Sequence, residues 1–276
     1  MKHEQKIPYV PHVGIEYPDK PDEHIKLRAD VKSFKKVELH IDEHYPFLDK
    51  SFGFRVKSAL LYLGIFTLVF FLAHARFGLR IEGRAILKKH KALFRNGAIT
   101  ASNHVLRWDL LHVLQAIRYR RLYLPVWTAN LSGPDGGVIR LVGGVPVPSD
   151  IHTIKYFNAA FDELHAKGKW FHVFPESCNW HYYQPIRPFK KGMFTMAYKY
   201  QLPVIPMAFS YRPATGLFRL FKKKNYPLIT LRIGDPIMPD MTLPRKEAVT
   251  RLRAECHRRI VELAGITDNI WPCEGD

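Results

Sequence analysis

Acidic residues are scarce in this chain: 25 Asp and Glu stand against 42 Lys and Arg, a formal charge of +17. A surface of that sign repels cationic partners. It leaves nucleic acid, an anionic bilayer, an acidic carrier protein and phosphorylated small molecules as the classes it can attract. Cysteine is scarcer still. Cys178, Cys256 and Cys273 are odd in number and have no C-x-x-C spacing, which excludes a disulfide framework and a cysteine-based zinc site and fits a reducing compartment. No secretory signal is expected, because the stretch Met1–Lys57 is rich in charge and proline and the first long apolar run comes too late. Internal repeats and low-complexity tracts are missing as well, which argues against a solenoid or an array.

What remains is ordinary for a globular protein: 276 residues, 47% apolar and 24% charged, enough for one sizeable α/β domain with an appendage. Residues 1–50 carry Pro8, Pro11, Pro18, Pro21 and Pro46 among mixed charges, and read as an irregular arm with one short element around Val31–Ile41. Residues 51–90 read as a membrane-associated helical segment. Eighteen residues from Ser58 to Ala75 hold no formal charge, and as a helix they would run roughly 27 Å, a marginal bilayer span. Leu60, Leu61, Leu63, Ile65, Phe66, Leu68, Val69, Phe70 and Leu72 leave little room for a polar face, so embedding in a membrane is the expectation, whether across it or only into it. Basic residues flank the run, fewer before it (Lys50, Arg55, Lys57) than after it (Arg76, Arg80, Arg84, Lys88, Lys89), which puts the chain beyond the run on the cytoplasmic face.

Residues 91–276 alternate short apolar runs with helical stretches. Strands are predicted at Ala98–Ala101, Leu122–Trp127, Val145–Val147, Trp170–Phe174, Val204–Ser210 and Leu228–Ile233, and helices at Asp109–Tyr119, His152–Ala166, Gly192–Gln201 and Arg245–Ala264. That alternation predicts an α/β fold, a single mostly parallel sheet covered by helices, preceded by the membrane-associated helix.

Sites in such sheets form where strands end. The first predicted strand runs straight into Asn103 and His104, with Asp109 five residues on at the start of a helix. On one continuous helix His104 and Asp109 would point about 140° apart, so only an intervening turn lets carboxylate meet imidazole. The pair then has a clear chemical use: a neutral imidazole takes a proton from an attacking hydroxyl while the carboxylate fixes its tautomer. His44 and Asp49 repeat the spacing inside the proline-broken arm, with no strand leading in, and read as solvated surface. Farther on, the strand at Trp170 runs into Phe174, Pro175 and Glu176, again a lone carboxylate at a strand end, and Pro203 and Pro206 bracket the entry of the next strand.

In this order the blocks resemble the glycerolipid acyltransferases typified by 1-acylglycerol-3-phosphate acyltransferase. Asn103, His104 and Asp109 match the family's N-H-x-S-x-x-D block, Phe174, Pro175 and Glu176 its F-P-E-G, and Pro203–Pro206 its V-P-I-V-P strand, with order and spacing kept from about Phe77 to Pro236. The resemblance implies transfer of a fatty acyl chain from acyl-CoA or acyl carrier protein to a free hydroxyl of a lysophospholipid-like acceptor, with 1-acylglycerol-3-phosphate the leading choice. It makes His104 the base, Asp109 its orienting partner and Glu176 an acceptor-positioning group, with no acyl-enzyme, no metal and no cofactor beyond the donor substrate. Membrane lipids and the donor are the implied partners; nucleic acid is not.

The chain also departs from the pattern. The family's Ser is Leu106 here, the F-P-E-G glycine is Ser177, and Cys178, Asn179 and Trp180 replace the small or basic residues after it. Leu131, Gly137 and Gly144 align with a middle block, but its basic positions fall on Thr128 and Pro148. A phosphate on the acceptor would therefore need other cations, for which Arg140, Arg187, Lys190 and Lys191 are the candidates. Cys178 reads as a neutral thiol because nothing adjacent lowers its pKa. The rival reading is a noncatalytic basic protein that binds lipid, or binds nucleic acid through Phe218–Tyr226 with its Lys222, Lys223 and Lys224.

Overall fold

The computed structural model describes residues 15–25, 41–118, 120–221 and 226–273. The short element expected at Val31–Ile41 falls outside these residues apart from its last position, and Lys222, Lys223 and Lys224 fall outside them entirely. A helix of 26 residues comes first, as α1 (Phe52–Gly64), a π-helical turn at Ile65–Val69, and α2 (Phe70–Phe77). After it come β1 (Arg80–Glu82), α3 (Arg84–Lys89), β2 (Ile99–Ser102), α4 (Asp109–Ala116), β3 (Leu122–Trp127), α5 (Thr128–Leu131), α6 (Gly136–Leu141) and β4 (Gly144–Val147). The chain continues through α7 (Ile154–Ala166), β5 (Trp170–Val173), α8 (Gly192–Tyr200), β6 (Val204–Arg212), α9 (Phe218–Phe221), β7 (Leu228–Ile233) and α10 (Arg245–Ala264).

The seven strands form one sheet in the order β1-β7-β6-β2-β5-β3-β4. Strands β6, β2, β5, β3 and β4 are parallel, while β7 runs antiparallel to β6 and carries β1 parallel to itself at the edge. The six strands read from the sequence are all present, and the sheet is mostly parallel as expected. Strand β1 had no signal, being three residues with two charged side chains. The predicted helix at Asp109–Tyr119 stops at Ala116, because Arg118 turns into the left-handed region (φ 58°).

Two apolar layers cover the sheet. On one side α7, α8 and α10 bring Phe161, Phe194, Cys256 and Ile260 against Ile99 and Phe171. On the other, α4 and the long N-terminal helix bring Val113, Leu114, Ile65 and Phe77 against Phe209 and Leu231. Gly143 (φ 110°) is needed between α6 and β4, since a Cβ there would run into the Leu122 carbonyl.

The long helix touches the rest of the protein along one stripe. Ser58, Ile65, Ala73 and Phe77 are buried, with Tyr62 and Val69 packed between them; spacings near four residues keep them on one face, and the π turn preserves that phase. Polar bonds fix its first half: Ser58 Oγ donates to the Leu141 carbonyl (2.6 Å), Tyr62 Oη to that of Val142 (3.0 Å), and Arg121 donates to Ser58 while covering the Tyr62 ring. Leu60, Leu63, Phe66, Leu68 and Phe71 on the other face are exposed. Only 17% of the helix's most apolar window, of mean hydropathy 2.0, is buried.

Two neutral imidazoles lie inside this core. Burial, with His74 near one ring and His104 near the other, pushes His112 and His172 from 6.5 down to about 3. The unfolded chain takes up protons on both rings below about pH 6.5 and the native chain does not, so stability present above that pH should drain away as pH falls toward 3. The expected slope is roughly 1 kcal/mol per pH unit for each ring. Denaturant midpoints measured across this window should show that decline, and His112→Phe should remove about half of it.

Candidate active site

The site grows from the carboxyl end of β2. The Asn103 side chain turns back onto β6: its amide donates to the Phe209 carbonyl (3.1 Å) and its oxygen accepts the Phe209 N–H (2.8 Å). This side chain continues the β2–β6 ladder for one residue after the strand has ended, so the next residue leaves the sheet at a fixed point. Residues 103–107 form the turn that the His104–Asp109 spacing requires.

Asp109 opens α4 and is fully buried. Its Oδ2 accepts the His104 Nδ1–H (2.9 Å) and the backbone N–H groups of Val105 (2.6 Å) and Leu106 (2.8 Å). Burial pushes this carboxyl above its ordinary value, while the three donors and the nearby imidazole pull the other way. With Nδ1 donating to Asp109, the lone pair of His104 lies on Nε2, and the side chain retains 21% of its exposure. The Phe174 ring stacks on the imidazole at 3.8 Å and 11°, setting its plane. His172 backs Phe174; its Nδ1–H donates to Thr100 Oγ1 at 2.9 Å.

Glu176 lies three residues past the parallel strand β5 and reaches the same loop. Its Oε2 accepts the His104 backbone N–H (3.0 Å) and the Arg187 guanidinium (3.1 Å), and its Oε1 accepts the Arg187 N–H (2.9 Å). Both side chains are buried. Both carboxylate oxygens of Glu176 are thus engaged by protein donors. Arg187 is in the same position: it also donates to the carbonyls of Pro21 (2.8 Å) and Cys178 and lies over the Trp180 ring at 4.4 Å.

Of the other cations, Lys190 and Lys191 stand together beside Glu176, on a cavity of about 240 Å³ also lined by Asp22, Pro188 and Arg253. Lys190 faces Asp22 at 3.3 Å. Arg140 lies elsewhere. It sits just before β4, at the amino ends of the parallel strands, and donates to the carbonyls of Pro46, Phe47 and Gly144. His104 is at the opposite, carboxyl edge, so Arg140 fastens the arm to the domain and does not join the site. His44 and Asp49 have separate partners: His44 lies beside Glu43, and Asp49 accepts the Ser51 N–H. Burial pushes the Cys178 thiol up, as a neutral thiol requires. Among the described residues no set of three or more His, Cys, Asp or Glu side chains gathers as a metal site.

With this geometry in place, the chain can be compared with known proteins. Residues 78–210 match the family model described as Acyltransferase. The matched stretch, which is what the chain has in common with that family, begins directly after α2 and ends within β6, so the long helix, β7 and α10 lie outside it. None of the curated proteins matches the chain. Among solved structures it is similar to the crystal structure of the 1-acyl-sn-glycerophosphate (LPA) acyltransferase PlsC from Thermotoga maritima, at 20% identity and a TM-score of 0.49, over 79% of this chain and 84% of that one.

Ser177, which replaces a glycine in the acyltransferase pattern, keeps a glycine-like backbone at φ 63°. Its hydroxyl donates to the Glu176 carbonyl at 2.7 Å, a local bond that a serine in this conformation can make. A left-handed non-glycine residue costs about 1–2 kcal/mol. Ser177→Gly should therefore leave stability unchanged or raise it by up to about 1 kcal/mol. Ser177→Val, β-branched and without the hydroxyl, should lower it by more than about 1 kcal/mol; thermal unfolding of both variants checks the pair.

Proposed function

We propose that this acyltransferase moves a fatty acyl chain from a thioester donor, acyl-CoA or acyl carrier protein, to the free hydroxyl of a lysophospholipid-like acceptor, with His104 as general base. The observation that carries the reading is the bond from His104 Nδ1 to a buried Asp109 whose accepting oxygen is also held by two backbone N–H groups. Nε2 takes the proton of the acceptor hydroxyl as its oxygen attacks the thioester carbonyl. Collapse of the tetrahedral adduct breaks the C–S bond, and the imidazolium returns the proton to the departing sulfur. Asp109 stabilises the imidazolium and keeps the tautomer fixed throughout. No residue is acylated.

The lipid acceptor is supported by the long helix, whose exposed face of Leu60, Leu63, Phe66, Leu68 and Phe71 would be costly in water and is favourable in hydrocarbon. Ser58 and Tyr62 tie the first half of that helix to carbonyls of the domain, which favours a helix lying in one leaflet, on the cytoplasmic face, with His104 held near lipid headgroups. A phosphorylated headgroup would find Lys190 and Lys191 beside the cavity behind Glu176.

In detergent, with acyl-CoA or acyl carrier protein and a panel of lyso-lipids, His104→Ala and Asp109→Asn should each lower kcat/KM at least about a hundredfold. An unchanged rate would remove the pair from the mechanism, and no turnover by the parent protein with any donor would favour the noncatalytic lipid-binding reading. Replacing Leu60, Leu63 and Phe71 together by Ser should abolish flotation with anionic vesicles; undiminished flotation would refute the anchor.

A further inference from the structure

Two of the residues that break the acyltransferase pattern after Glu176, Cys178 and Trp180, hold the N-terminal arm. Cys178 Sγ donates to the Asp22 carbonyl (3.2 Å) and lies 3.8 Å from His24 Nε2. The Trp180 indole N–H donates to the Glu23 carbonyl at 2.7 Å. Tyr17 packs its ring against Trp180 and Tyr183 and donates its hydroxyl to the His181 carbonyl (2.6 Å). His24 stacks on Trp127 at 5.3 Å, which fastens the far end of the segment to β3.

This segment reaches the backbone of His104 through an unbroken series of bonds. The Pro21 carbonyl accepts from Arg187, Arg187 donates to Glu176 Oε2, and the same oxygen accepts the His104 N–H. The middle pair is buried, where a guanidinium keeps its position only while its donors are matched. The loop around Trp180 is also tied directly to the base, since the Trp180 and Tyr182 N–H groups donate to the carbonyls of His104 and Val105.

We propose that residues 17–24 are a positioning element of the active site: docked on Trp180 and Arg187, they lock Glu176 and so hold the His104 backbone at the point its chemistry needs. The inference rests on the general-base reading of His104. It accounts for the altered block, because Cys178 and Trp180 serve a partner segment of this same chain. Arg187 and Trp180 are positioning residues that touch no substrate. Misplacing a base by about 1 Å can cost on the order of a hundredfold in rate.

The test uses the full chain carrying Tyr17→Ala with His24→Ala, compared with Tyr17→Phe with His24→Phe, which keeps both ring contacts. Arm release is read by maleimide labelling of Cys178, resolved from the buried Cys256 by peptide mass. In the Ala pair Cys178 should label at least tenfold faster while Cys256 stays protected, and kcat should fall at least tenfold with KM for the lyso-lipid changed less than threefold; the Phe pair should recover most of the turnover. Faster labelling with unchanged kcat, or a change confined to KM, would overturn the proposal, as would a Cys178 rate that does not move. Should Cys256 also become reactive, Trp180→Phe, which removes the N–H to Glu23 and trims the ring beneath Tyr17, replaces the Ala pair under the same criteria. A parent protein without transferase activity would sink the general-base reading instead, leaving the labelling result as a separate measure of docking.

Discussion

Three donors converge on one buried oxygen, Oδ2 of Asp109: the ring N–H of His104 and the backbone N–H groups of Val105 and Leu106. A carboxylate without them would be several kilocalories per mole out of place in this core. With them, the charge is stabilised and the chain between the two residues is bent into a single turn. The bend and the imidazole orientation therefore have the same cause. Asn103 on one side and the first turn of α4 on the other keep the bend anchored to the sheet, and Phe174 leaves the ring no second plane to adopt.

Glu176 extends the same logic one strand over. Two carboxylates, one opening α4 and one just past the end of β5, approach one short loop, and neither is offered to solvent: Asp109 serves the ring and Glu176 serves the backbone of His104. The parallel β2–β5 register makes this possible by ending both strands on one edge. The positive side chains of the domain divide by task. Arg187 is consumed internally, Arg140 holds the arm at the far edge, and Lys190 and Lys191 border the cavity behind Glu176.

Much of this was legible in the sequence, for reasons particular to each element. Strands β5 and β6 are nearly continuous apolar runs because both faces are covered, and such runs stand out. His104 and Asp109 were readable because a five-residue spacing across a strand end admits one useful geometry. The bonds of Glu176 to the His104 and Arg187 backbones were not, since nothing in a linear motif tells which backbone amides a carboxylate meets. Arg140 was misplaced by reading sequence order as proximity, although a residue that precedes β4 belongs at the amino edge. The docking of residues 17–24 on Trp180 joins segments more than 150 positions apart through backbone carbonyls, which carry no side-chain signature. The long helix was recognisable by its lack of charge, while its attachment through Ser58 and Tyr62 depended on polar groups that looked incidental in an apolar run.

The central claim is that Asp109 fixes the protonation of the His104 ring, and side-chain 15N NMR of the detergent-solubilised protein at neutral pH measures it directly. The account predicts that His104 is held with the proton on Nδ1 and a lone pair on Nε2, and that Asp109→Asn abolishes this preference. A ring protonated on Nε2 in the parent protein, or one indifferent to the substitution, would contradict it.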